Sequence, residues 1–164
     1  MPNHHLVRVL RLLAIAALPL APSARAELAA WDQAKVTGLA KELETATDAL
    51  YQTFRQQPPP NLGSMQSESY YRLKQLVRTL HAQVDVFAKS LEEGEGRDQT
   101  VWMYETAMSL ARSARLEAGR VFVAKDVGER AAAVRGVLNR LGPYYDPDFQ
   151  TLAPHPNIEP GATR

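Results

Sequence analysis

Cysteine is absent from the 164-residue chain, which excludes disulfides, thiolate zinc sites, iron–sulfur clusters and thioether-linked haem. Catalytic signatures are as scarce. The chain has no G-x-S-x-G elbow, no phosphate-cradling glycine loop and no H-E-x-x-H pair, so the chemistries that depend on those motifs fall away. Beyond residue 26 only His81 and His155 carry an imidazole. Neither sign of charge dominates, since 19 basic residues stand against 18 acidic ones. Their interspersion offers no cationic face for nucleic acid or anionic lipid. A run of about 20 apolar residues, the length needed to span hydrocarbon, is missing as well.

The longest uncharged stretch is LLAIAALPLA at residues 12–21, preceded by Arg8 and Arg11 and followed by Ala24-Arg25-Ala26. A basic start, a short apolar run and a small-x-small triplet together predict a signal peptide over 1–26, cleaved after Ala26. No cysteine follows the run and no Arg-Arg pair precedes it, so neither a lipoprotein nor twin-arginine export is expected. Cleavage removes Arg8, Arg11 and Arg25 but no acid, leaving 16 basic against 18 acidic residues. The expected product is a periplasmic or secreted domain without stable membrane insertion.

Helical periodicity dominates the chain beyond residue 26, and strand alternation is not found. Val36, Leu39, Leu43, Ala46, Leu50 and Phe54 recur at spacings of three and four, predicting a helix over 28–57 that stops at the three prolines 58–60. Tyr70, Leu73, Val77, Leu80, Val84, Phe87 and Leu91 form an unbroken seam, predicting a second helix from a Ser67 cap to EGEG. A third, capped by Asp98 or Thr100, carries Ala107, Ala111, Ala114 and Ala118 at the centre of its apolar arc. Met103, Leu110 and Val121 flank that arc on one side, Tyr104, Met108 and Phe122 on the other. A capping box, Asp126-x-x-Glu129, opens the fourth, and Gly142-Pro143 closes it.

The expected fold is therefore all-α: an up-and-down antiparallel four-helix bundle over 27–141 with a Pro-rich irregular C-terminal tail over 142–164. The fourth helix is expected to be too short to cover the others. The tail, led by Tyr144, Tyr145 and Phe149, is expected to pack over the exposed bundle end, its last residues disordered.

Up-and-down topology brings Trp31, Trp102, Tyr144, Tyr145 and the acidic linker with Glu92 and Glu93 to one end. Aromatic faces beside carboxylates suit a cationic or amphipathic small ligand, or an envelope protein as partner. A different geometry sets His81 level with residue 110, near Met108, as axial ligands of a haem inside the bundle require. Arg115, at the edge of the helix-three arc, is a candidate anion ligand in a cleft, and the alanine stripe a candidate homodimer contact. Without a nucleophile–base pair or metal set, the chain reads as a non-enzymatic binding or interaction protein of the envelope. A haem- or metal-binding bundle is the alternative.

Overall fold

The computed structural model describes residues 27–57 and 64–153. The leader (1–26), the prolines at 58–60 and the last residues of the tail (154–164) lie outside the described residues. Those that are described form four helices, α1 (Gln33–Gln56), α2 (Ser64–Glu92), α3 (Arg97–Ala118) and α4 (Lys125–Tyr145), with no strand among them. α1 packs against both α2 and α4, and α2 against α3, an arrangement compatible with a bundle. Of the helix pairs in contact, α3 and α4 pack most loosely. No described helix is long and apolar enough to cross a membrane.

The seam of α2 faces inward as expected, with all seven of its residues buried. On α1 the buried line is Val36, Ala40, Leu43, Thr47, Leu50 and Phe54. Leu39 and Ala46 sit half-buried on its flank, so the face is turned slightly from the expected one. Thr47 reaches the centre because its hydroxyl donates to the Leu43 carbonyl at 2.9 Å, which removes the penalty of burying it. Met103, Tyr104, Ala107 and Met108 of α3 are buried. Ala111, Ala114 and Ala118, expected at the centre of the arc, are only partly covered.

Helix termini differ from the sequence reading. α1 begins at Gln33, five residues later than expected, because the Asp32 carboxylate accepts from Lys35 N at 3.0 Å and fixes the start there. The preceding residues instead tie elements together, Ala29 N donating to the Pro143 carbonyl and Arg97 Nη2 to the Ala29 carbonyl. α2 starts at Ser64, so Ser67 lies inside it and is not its cap. It ends on a glycine motif. Glu95 N donates to Ser90 O and Gly94 N to Leu91 O, with Gly94 at φ 91°, a left-handed position that glycine occupies without strain.

Gly96 caps α3, ahead of both expected candidates, and its N–H donates to Gln99 Oε1 at 2.9 Å. Asp98 therefore falls in the first turn. Thr100 is buried, its hydroxyl donating to the Gly96 carbonyl. The Asp126/Glu129 capping box does not form. α4 starts one residue before Asp126, behind Ala124, and Asp126 accepts from Val127 N and from Gln57 Nε2.

α4 does not stop at Gly142-Pro143 but continues to Tyr145. Proline removes one N–H in the last turn, a small loss beside the burial of Tyr144 and Tyr145 that the extra turn allows. With 21 residues α4 is the shortest of the four described helices, as expected, but it nearly matches the 22 of α3. The described part of the tail, to residue 153, turns back beside α4, with the Phe149 ring over Gly142 and Leu152 held by Asn139 through two hydrogen bonds of 3.2 and 2.8 Å. A Cβ on Gly142 would collide with that ring.

Candidate functional site

At the expected aromatic end Tyr145 is the hub. Its ring stacks on Tyr104 at 4.6 Å and meets Trp31 and Phe87 edge-on at 5.5 and 5.9 Å. Its hydroxyl lies 3.0 Å from Thr100 Oγ1. Since that oxygen donates to the Gly96 carbonyl, Tyr145 is the donor of a short chain leading to the α3 cap. Arg97 covers the Trp31 ring at 5.3 Å and Lys35 the Tyr144 ring at 5.7 Å. The ring faces on which a ligand cation would settle thus carry the chain's own cations.

The other residues expected there are placed differently. Trp102 is 54% exposed on α3, and its carbonyl accepts from Thr106. Glu92 pairs with Lys41 at 2.8 Å and Glu93 is exposed. The structure therefore gathers Trp31 and Tyr145, with Phe87 and Tyr104 as further members of the cluster, while the Tyr144 ring lies against Lys35.

Burial holds both central tyrosines in the neutral form. The Tyr145 hydroxyl is pushed up to about 12 by desolvation, against the lowering effects of Thr100 and Arg97. Tyr104 is raised further by desolvation, and the Asp146 charge adds to it. A phenol whose pKa is raised on folding contributes stability that is complete below the unfolded value of about 10 and is lost as pH rises through the folded value. Stability is therefore expected to fall between about pH 10 and 12, by on the order of 2 kcal/mol for Tyr145. Denaturant unfolding at pH 8 and at several alkaline values checks this, and Tyr145→Phe is expected to flatten the decline.

His81 and Met108 are not brought together as haem ligands. His81 turns to α1, where its ring stacks on Tyr51 at 5.0 Å and Nε2 lies 3.3 Å from Asp48. Met108 is buried in the core and is not among those partners. Among the described residues no group of three or more His, Asp or Glu is placed to hold a metal ion.

A cleft lies where α3 and α4 stand apart. It encloses about 90 Å³. Leu50 and Phe54 of α1 and Leu73, Val77 and Leu80 of α2 form its floor. Its sides are Ala111, Ala114 and Ala118 of α3 and Ala131, Val134 and Leu138 of α4. Val127 of α4, Leu152 of the folded-back tail and Val123 of the α3–α4 connection complete the lining, and its charged members are Arg115 and Arg135. The alanine stripe signals this site in the sequence. Small side chains permit close approach of a second helix, but here α4 stays back and the small residues leave a void. Arg135 and Leu152 carry no periodic signal that sequence reasoning could use.

No family model matches the chain, and neither a curated protein nor a solved structure matches it.

Proposed function

We propose that the chain is a non-enzymatic binding protein of the cell envelope, exported behind the leader read at residues 1–26, which holds a small apolar ligand between α3 and α4. The observation that carries this reading is the aliphatic cleft. A concave, mostly apolar site with a few polar groups at its edge is the usual form of a small-molecule site, and voids of this size are uncommon in close-packed interiors. Neither charged lining residue suits acid–base or nucleophilic work, since a guanidinium stays protonated. Helix order supports an up-and-down antiparallel bundle around the cleft. Along α1 and α2 the contacts Thr37–Leu91, Asp48–His81 and Phe54–Tyr70 run in opposite senses. Trp31–Tyr145, Glu42–Arg140 and Gln57–Asp126 do the same for α1 and α4.

Filling the cleft tests the reading. Ala114→Leu is expected to stabilise the protein by about 0.5–2 kcal/mol, the range typical of cavity filling, and to abolish binding of hexan-1-ol. Both are read on the full chain, by thermal unfolding and by methyl-resolved NMR titration. A parent protein whose cleft methyls do not respond to hexan-1-ol removes the proposal.

A further inference from the structure

One wall of the cleft is built differently from the rest. The lining comes from the four helices except for Val123, in the α3–α4 connection, and Leu152, in the segment that turns back beside α4. That segment is lightly attached. Phe149 N donates to the Asp146 carbonyl and the Phe149 ring rests on Gly142, which anchors its near end. Among the described residues, the hydrogen bonds that reach 150–153 are both made by Asn139, whose Nδ2 donates to the Leu152 carbonyl and whose Oδ1 accepts from Leu152 N. One side-chain amide thus takes the part of a neighbouring strand and holds the leucyl side chain in the cleft. Exchanging two part-buried hydrogen bonds for water costs little, whereas moving α4 would open its packing against α1. Leu152 is therefore the wall that yields first.

Volume requires that a wall yield. With all of them in place the void is about 90 Å³, below the cavity of about 150 Å³ that admits benzene, and hexan-1-ol is larger than benzene. Resting on the reading of the cleft as a ligand site, we infer that Leu152 is a displaceable plug: the chain fills its own site, and an apolar ligand enters by taking the place of the leucyl side chain. Asn139 is the latch. The helical walls stay covered in either state, by Leu152 or by ligand, so the exchange leaves little of their apolar surface in water. The latch sets the affinity, because a ligand that binds only the unplugged form is weakened by the fraction of molecules in that form.

Asn139 does not line the cleft, and alanine is the better helix former, so Asn139→Ala releases the latch while leaving the lining and α4 as they are. Titrated into the full chain, hexan-1-ol is expected to bind this variant about five-fold more tightly, the effect of taking about one net hydrogen bond from the plugged state. Leu152→Ala removes the plug itself and is expected to gain at least as much. Adding Asn139→Ala to it is expected to gain nothing further, because the latch then has no plug to hold. The unaltered protein supplies an independent readout: saturating hexan-1-ol is expected to speed hydrogen exchange of the Leu152 amide several-fold, since that N–H leaves Asn139 when the plug moves. Unchanged or weaker binding by Asn139→Ala, an equal gain from it in the Leu152→Ala background, or Leu152 exchange that the ligand slows or leaves unchanged overturns the plug and leaves a cleft with fixed walls. Binding of hexan-1-ol by none of these proteins overturns the cleft reading and the inference with it.

Discussion

Tyr145→Ala is expected to lower the unfolding free energy by about 3–5 kcal/mol, the cost of removing a large buried aromatic ring. For a domain of this size that is a fall in Tm of about 10–20 °C. The expected loss is large because one ring serves three helices and the segment ahead of α1. It stacks on Tyr104 of α3, meets Phe87 of α2 and Trp31 beside the α1 cap, and belongs itself to the last turn of α4. Such ring pairs contribute about 0.5–1.5 kcal/mol beyond the area they bury. Its hydroxyl adds a bond to Thr100, so Tyr145→Phe isolates that bond and is expected to cost about 1 kcal/mol. Thermal and urea unfolding of the two variants beside the parent decide the matter. A loss below about 1.5 kcal/mol for Tyr145→Ala would show that the rings do not hold the end of the molecule together. The aromatic cluster would then return as a candidate ligand site.

Which parts of this molecule were legible depends on the range over which each is decided. The α2 seam was legible because burial of Tyr70, Leu73, Val77, Leu80, Val84, Phe87 and Leu91 is set by spacing along one helix, and one strongly amphipathic face has one way to hide. Caps were not: Asp32 gives α1 a side-chain cap, but α3 and α4 start behind Gly96 and Ala124, which offer no capping side chain for sequence reading to find. Asp32 won over an earlier start, Gly96 over Asp98 and Thr100, and Ala124 over the Asp126 box. The Gly142-Pro143 stop failed for another reason. Local backbone preference favoured ending the helix there, but burying Tyr144 and Tyr145 outweighed it.

The aromatic end was half legible. Helix order brought Trp31 and Tyr145 together, whereas Trp102 depends on the rotation of α3, which alanines on its inner face constrain weakly. The cleft was least legible. An alanine stripe reports that another backbone is able to come near, and the outcome depends on how far α4 stands off and on where Leu152 is clamped by Asn139. Both are long-range results. Arg115 was visible at the border of its helix, but its counterpart Arg135 belongs to another element, and no spacing rule links the two.

Leu138→Ala enlarges the same void that Ala114→Leu fills, and its consequences are expected to be opposite. Leu138 is fully buried and forms part of the cleft wall, and its carbonyl accepts from the Tyr104 hydroxyl. Truncation therefore keeps the backbone contact while removing packing, at an expected cost of about 3 kcal/mol from lost transfer energy and new cavity. The wall has little means to collapse, because the residues facing it are already small. The enlarged void is expected to admit octan-1-ol as well as hexan-1-ol and to bind the shorter alcohol several-fold more tightly than the parent. Binding then returns part of the lost stability: ligand at ten times its Kd restores about 1.4 kcal/mol. The decisive comparison is the Tm of parent and Leu138→Ala with and without alcohol. Rescue confined to the variant means that only an engineered void takes ligand, and the natural cleft is then a packing defect. Rescue of both, larger in the variant and absent in Ala114→Leu, is the pattern of a binding site whose capacity is set by the α3–α4 separation.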